Sequence, residues 1–346
     1  MSGDKTGKGK DMGELRLGAP VAGLASRTKI TPEDVAMLRG EVFRDGVVTR
    51  GEAEALFALD TSCEDKCREW STFFVEALTD FVVHQEVPSG YVSQDNADWL
   101  IRSISIDGKV ETATELDLLI KVLETARSAP DRLAAFALNQ VAIAVIDGVG
   151  PLVPHGATLT RGAVSEKDVA LLRRILYAQG GGGNLGISRA EAEVLFDLND
   201  KTAQADNHAD WDHLFVGAIA NHLMCVSGYT PPTREEALRV REWLDGDPQV
   251  NVGGFLGRMV SGGLSAVLEA YRRPDGIEAW YAGKNARVEA ANATAEAIDQ
   301  TEAKWLVERI GRDGQLHRNE AALLSFLREE SPDIHPDLKP LLDRVA

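Results

Sequence analysis

The chain has 346 residues, 44% of them apolar and 26% charged, which supports a normal core and leaves room for two domains or one large duplicated one. Its formal charge of −17 repels phosphate backbones and argues against a nucleic-acid partner. Three cysteines, Cys63, Cys67 and Cys225, argue against a disulfide framework and fit a reducing, cytoplasmic setting, and no apolar run reaches the roughly 18–20 residues of a transmembrane helix.

Residues 1–30 run against the overall charge, with six Lys or Arg and three acids. Rich in Gly and Lys and without periodicity, they read as a disordered basic tail lacking the apolar centre of a secretory signal. From residue 31 the pattern is helical. "DVAMLRGEVF" and "TELDLLIKVLETA" place apolar residues at i, i+3, i+4 and i+7, and strand-like alternation is confined to one or two residues after each Asp-Gly.

The order of segments then repeats. "EDVAMLR" (33–39) returns as "KDVALLR" (167–173), and "VTRGEAEALFALD" (48–60) as "ISRAEAEVLFDLN" (187–199). "WSTFFVEAL" (70–78) matches "WDHLFVGAI" (211–219), "ADWLIRSISIDGKV" (97–110) matches "AKWLVERIGRDGQL" (303–316), and "LNQVA" (138–142) matches "LDRVA" (342–346). Collinear matches of this kind mark an internal duplication. The fold expected is all-α: a helical repeat domain over 31–146, a Gly/Pro linker over 147–162, and a second copy over 163–346. The second copy carries the extra stretch "GGGGN" (180–184) and a helical insertion over about 230–298. Trp70, Trp99, Trp211 and Trp305 hold matched positions, which points to core packing.

Each copy contains two tight turns that open a helix. They read Asp45-Gly46-Val47-Val48-Thr49-x-x-Glu52, Asp107-Gly108-Lys109-Val110-Glu111-Thr112-x-x-Glu115, Asn184-Leu185-Gly186-Ile187-Ser188-x-x-Glu191 and Asp313-Gly314-Gln315-Leu316-His317-x-x-Glu320, the third lacking the Asp-Gly. Thr or Ser followed three residues later by Glu is a capping box, and the hydrophobic residue before it can serve as a staple. The same turns admit a second reading, a calcium loop. That loop needs oxygen donors at its first, third and fifth positions and Gly at the sixth. Counting back from Gly46 finds Phe43 at the third position, and counting back from Gly314 finds Arg309 at the first. Around Gly108 the donors Ser103, Ser105 and Asp107 are present, but Glu115 falls one residue late. Helix capping is therefore the favoured reading. The candidate metal ligands are Asp45, Glu52, Asp107, Glu111, Glu115, Asp313 and Glu320, and a divalent cation is the one cofactor these turns admit.

The segments "RDGVVTRGEAEALF" (44–57), "IDGKVETATELDLL" (106–119) and "RDGQLHRNEAALL" (312–324) resemble the TerB-like (tellurite-resistance) domain. The resemblance implies a compact helical bundle, acidic sites for divalent cations, and a scaffold or stress-response role. The tandem layout and the insertion depart from a single-domain member.

"DNHADWDHLF" (206–215) offers a further metal candidate, with His208 and Asp212 four apart and able to share a helix face. Cys63 and Cys67 are also four apart, too few ligands to close a structural zinc site. "GGGGNLG" (180–186) lacks the Gly-Lys-Ser/Thr ending of a phosphate loop, and no nucleophile-and-base arrangement stands out. Within the insertion, the apolar stretch 253–271 reads as a core helix or as one that meets a partner or touches a membrane surface. These features point to a non-enzymatic scaffold or adaptor whose protein partner meets the insertion, with a divalent-cation sensor as the alternative.

Overall fold

The computed structural model describes residues 24, 29–44, 46–85, 87–152, 162–178, 186–224, 234–235, 237–239, 298–312, 314–331 and 333–345. The insertion's apolar stretch, the glycine run 180–184 and Cys225 lie outside them, as do Asp45 and Asp313.

The fold is all-α. In the first half the helices are α1 (Pro32–Val42), α2 (Arg50–Ser62), α3 (Arg68–His84), α4 (Gln94–Ile104), α5 (Ala113–Thr125) and α6 (Asp131–Asp147). The second half has α7 (Glu166–Leu176), α8 (Arg189–Thr202), α9 (Ala209–Met224), α10 (Gln300–Arg309), α11 (Arg318–Glu330) and the short α12 (Lys339–Leu342) between two 3-10 turns.

Local sequence sets these boundaries. Thr31 caps α1 with Asp34 reaching back, Pro32 takes the first helical position, and Val35, Leu38 and Val42 form its buried stripe. Ser165 and Asp168 repeat the device at α7. The helix α6 stops at Gly148, whose φ of 64° is the left-handed conformation that glycine adopts at least cost.

Two miniature sheets pin the helices. β1 (Lys29–Ile30) pairs in parallel with β2 (Asp65–Lys66), and β3 (Ser105–Ile106) pairs antiparallel with β4 (Lys109–Val110). β1 corrects the expectation of a tail running to residue 30. Ile30 is fully buried and Leu24 nearly so, the latter lying against Cys63, because two apolar residues within a polar segment suffice to cover the end of α2. The Asp107-Gly108 loop between β3 and β4 has φ of 52° and 78°, the left-handed pair that a type I′ hairpin turn requires.

The long helices α3 and α9 are the spines. α3 packs against α1, α2 and α5, and α9 against α7, α8 and α11. Each buries a Trp-x-x-x-Phe face, Trp70 and Phe74 in one and Trp211 and Phe215 in the other, all at 0% exposure. Burial of that order contributes about 1.5–3 kcal/mol per large side chain. The two halves meet at α6. This last helix of the first half packs on α7 and α8 as well as on α5, so one hydrophobic core runs through both halves. The described part of its sequence counterpart, 342–345, falls on the short C-terminal turns and forms no comparable helix.

The aromatic frames of the two halves agree closely. Trp99 meets Phe57 at 5.7 Å and Phe81 at 5.0 Å, edge to face, while Trp305 meets Phe196 at 5.6 Å and His222 at 5.0 Å. Phe57–Phe74 and Phe196–Phe215 are both 5.1 Å apart. Arg50 lies over Trp99 at 5.4 Å and Arg189 over Trp305 at 5.3 Å. The four tryptophans are core residues, as their matched spacing suggested. Among the described residues no helix is long and apolar enough to cross a membrane.

Candidate functional site

The four turns carry most of the sequence's candidate residues. In the first, the Thr49 amide donates to Glu52 Oε2 at 2.8 Å and the Glu52 amide returns to Thr49 Oγ1 at 3.3 Å. Glu52 is 3% exposed. In the second, Thr112 and Glu115 repeat this at 3.0 and 3.2 Å, and in the third Ser188 and Glu191 do so at 2.8 and 3.3 Å. In the fourth, Glu320 bridges two amides, His317 N–H at 2.8 Å and Gly311 N–H at 3.0 Å. The apolar residue before each cap turns inward: Val48, Val110 and Ile187 are buried, and Leu316 packs on the core. The box satisfies helix-start amides that no intrahelical carbonyl can reach, and the staple fixes the direction in which the chain enters the helix.

A second set of side chains, which sequence reasoning missed, clamps the turns from behind. Gln85 donates to the Gly46 carbonyl at 3.3 Å and is held by Asp80. Gln140, 2% exposed on α6, accepts from Val110 N–H at 2.9 Å and donates to the Gly108 carbonyl at 3.1 Å. On α9, Asn221 accepts from Ile187 N–H at 2.9 Å, and His222 Nδ1 meets the Ile187 carbonyl at 2.7 Å. The available signal was an amide-bearing residue at the inward position of an otherwise apolar helix face. Arg309, which cannot donate an oxygen to a calcium loop, belongs to this set. It is 3% exposed and anchors the fourth turn to α8 through Glu193 at 3.4 Å, through Asp197, and through the Glu193 carbonyl at 3.2 Å, over the Phe196 ring.

The remaining candidates disperse. Asp107 and Glu111 are exposed at the second turn, and the Ser103 and Ser105 hydroxyls donate to the Trp99 and Ile101 carbonyls at 2.8 and 2.6 Å. His208 and Asp212 do not share a helix face. α9 begins at Ala209, so His208 lies before it and pairs with Asp210 at 3.8 Å, while Asp212 pairs with Arg318 at 2.9 Å. Cys63 and Cys67 are not on one helix either. They cap the end of α2 and the start of α3, with β2 between them; burial pushes the Cys67 thiol up. Among the described residues no group of three or more His, Cys, Asp or Glu is arranged to hold a metal ion.

Comparison of the chain with family models, curated proteins and solved structures returns no match. The chemistry of the turns therefore rests on their own geometry. Burial raises the carboxyl of Glu115, against the hydrogen bonds from Thr112. It raises that of Glu191 to about 7, against those from Ser188, and Glu191 Oε1 has no hydrogen-bond partner among the described residues. Burial also lowers the pKa of His222. These carboxyls accept bonds from helix-start amides; those of Glu52, Glu191 and Glu320 are buried and that of Glu115 is half-buried.

Proposed function

We propose that the chain is a non-enzymatic, TerB-like helical scaffold or adaptor, built by duplication of one helical unit and serving protein–protein interaction in a stress response. The observation that carries this reading is the use of the turn carboxylates. Glu52, Glu115, Glu191 and Glu320 each place an oxygen on the N-cap amide of a helix, so the acids that could have done chemistry instead start helices. The agreement of the two aromatic frames supports the duplication. The insertion, about 230–298, is the part with no counterpart in the first half, and we assign the partner surface to it.

Affinity copurification tests the proposal, comparing the full chain with one lacking 230–298. The expected result is a protein partner recovered with the full chain and lost on deletion, while the circular dichroism of the remaining helices persists. Recovery of the same partner with both chains would overturn the assignment of the insertion. The alternative, a divalent-cation sensor, draws on the exposed Asp107 and Glu111; a rise in melting temperature at micromolar cation would favour it.

A further inference from the structure

The helix pairs α3–α5 and α9–α11 pack alike, and each pair is tied at its start, Ser71 to Thr114 at 3.1 Å between hydroxyls and Asp212 to Arg318 at 2.9 Å. Both pairs therefore run side by side in one direction and leave a groove along their outer faces. In the first half that groove is polar, lined by Glu76 and Thr79 on α3 and by Asp117 and Lys121 on α5. The alignment of "WSTFFVEAL" with "WDHLFVGAI", and of the cap Thr112 with His317, puts Gly217 and Ala220 at the matched positions of α9 and Ala322 and Phe326 at those of α11. The second half thus replaces four polar side chains by apolar or bare ones.

That apolar lining faces outward. Phe326 is 38% exposed, and Tyr177, matched to the Phe43 that lines the first groove, is 47% exposed. Gly217 is exposed in the middle of α9, and a Cβ there would meet nothing within 4 Å among the described residues. No described neighbour requires glycine at this position, where it is among the weakest helix formers. A continuous apolar face of this kind marks a contact surface.

The chain on either side of the insertion meets the same end of this groove. α9 runs to Met224, and α10 is entered through Ile298, which donates to the Asp333 carbonyl at 2.9 Å and accepts from the His335 amide at 3.0 Å, just past the end of α11 at Glu330. Between them, the stretch 253–271 spaces Phe255, Met259, Leu264, Val267 and Tyr271 for one helix face, with Arg258 and Glu269 as its only charges. As a helix it would be about 28 Å long, against about 24 Å for the 16 residues of α9. Arg234 touches the Val87 carbonyl at 3.2 Å on the way, and at about 3.3–3.6 Å per residue the segments 239–253 and 271–298 are long enough to bring the stretch back along the groove.

We propose that the α9–α11 groove is the seat of this chain's own stretch 253–271, whose apolar face covers Phe326 and Tyr177 and comes closest to the backbone at Gly217. Removing those side chains from water drives the contact, and Gly217 and Ala322 leave room where the first half has Glu76 and Asp117. The contact lies within one chain and goes beyond the partner reading: it divides the insertion into an anchored stretch and a remainder that is left to meet a partner.

Amide hydrogen exchange of the full chain, read by mass spectrometry at two chain concentrations with no partner present, tests the proposal. The amides of 253–271 are expected to exchange about tenfold or more slowly than in an unstructured peptide of the same sequence, equally at both concentrations. Gly217→Glu/Phe326→Lys gives the groove the residues of the first half; it is expected to lose most of that protection while α3 and α5 keep theirs. Ala322→Asp, at an exposed position, is a milder change and should lower protection in the same stretch. An unprotected stretch in the parent would overturn the proposal, and so would undiminished protection in both variants. Protection that rises with chain concentration would give the groove to a second copy and overturn it equally.

Discussion

Asp60 accepts the indole N–H of Trp70 at 2.5 Å, and its buried carboxylate also holds the half-buried Lys66 ammonium at 2.9 Å. The matched Trp211 has an indole N–H with no partner among the described residues, and Asn199 stands at the sequence position that matches the aspartate. Removing the acceptor in the first half orphans both a buried N–H and an ammonium. Asp60→Ala should therefore cost about 2–3 kcal/mol in urea unfolding, and Asp60→Asn less, because an amide oxygen still accepts from the indole. Equal losses for the two variants would count against this role for the hydrogen bond.

The capping boxes set a graded series. Thr49→Ala and Thr112→Ala should each destabilise by about 0.5–2 kcal/mol. Glu320→Ala should fall at or beyond the top of that range, because Glu320 holds two backbone amides and is 1% exposed. Chemical denaturation of the three variants checks the ranking.

Glu191 gives the chain a pH dependence whose sign follows from burial. Its carboxyl titrates near 7 in the fold and near 4.5 when unfolded, so between those values the native state binds the extra proton. Stability from this group is present below about pH 4.5 and is lost as pH rises through about 7. Glu191→Gln preserves the box, since Gln serves at that position. The variant should be more stable than the parent by roughly 2–3 kcal/mol at pH 8, and the gap should close toward pH 5. A gap that does not change with pH would contradict the assignment.

His222 acts in the opposite direction. Its pKa is lowered by burial from 6.5, so the unfolded chain takes up the proton first and stability falls as pH drops below about 6.5. Phenylalanine occupies the matched position, Phe81, with the same 5.0 Å contact to its tryptophan. His222→Phe should keep the aromatic packing, lose about 1 kcal/mol at pH 8 with the bond to Ile187, and show less acid destabilisation between pH 6.5 and 5.

Arg309 ties α10 to α8 from a buried position, although its acidic partners are partly solvated. Arg309→Met should cost about 2–4 kcal/mol, whereas Arg50→Met, on an exposed i,i+4 pair, should cost under about 1 kcal/mol.

Where the fold was legible in sequence, the information was local. Thr-x-x-Glu before an apolar run marked α2 and α5, and Ser-x-x-Glu marked α8, because a cap and its glutamate lie within one turn of each other. The boxes at Thr31 and Ser165 use Asp in the reaching position and were not anticipated. What the sequence concealed depends on distance along the chain. Gln140 clamps a turn 30 residues earlier, and Arg309 reaches acids more than 100 residues away. His208 and Asp212 show the converse limit: correct ligand types at helical spacing, but the helix starts one residue after the histidine and Asp212 pairs with Arg318.

The central claim is that the turn carboxylates start helices and hold no ion. Its most direct test is the melting temperature of the parent chain and of Glu52→Gln/Glu115→Gln/Glu320→Gln, each with and without millimolar calcium. The account predicts that calcium shifts neither protein and that the glutamines, which can still bond to the N-cap amides, leave the variant close to the parent. A calcium-dependent rise in the parent that disappears in the variant would contradict it.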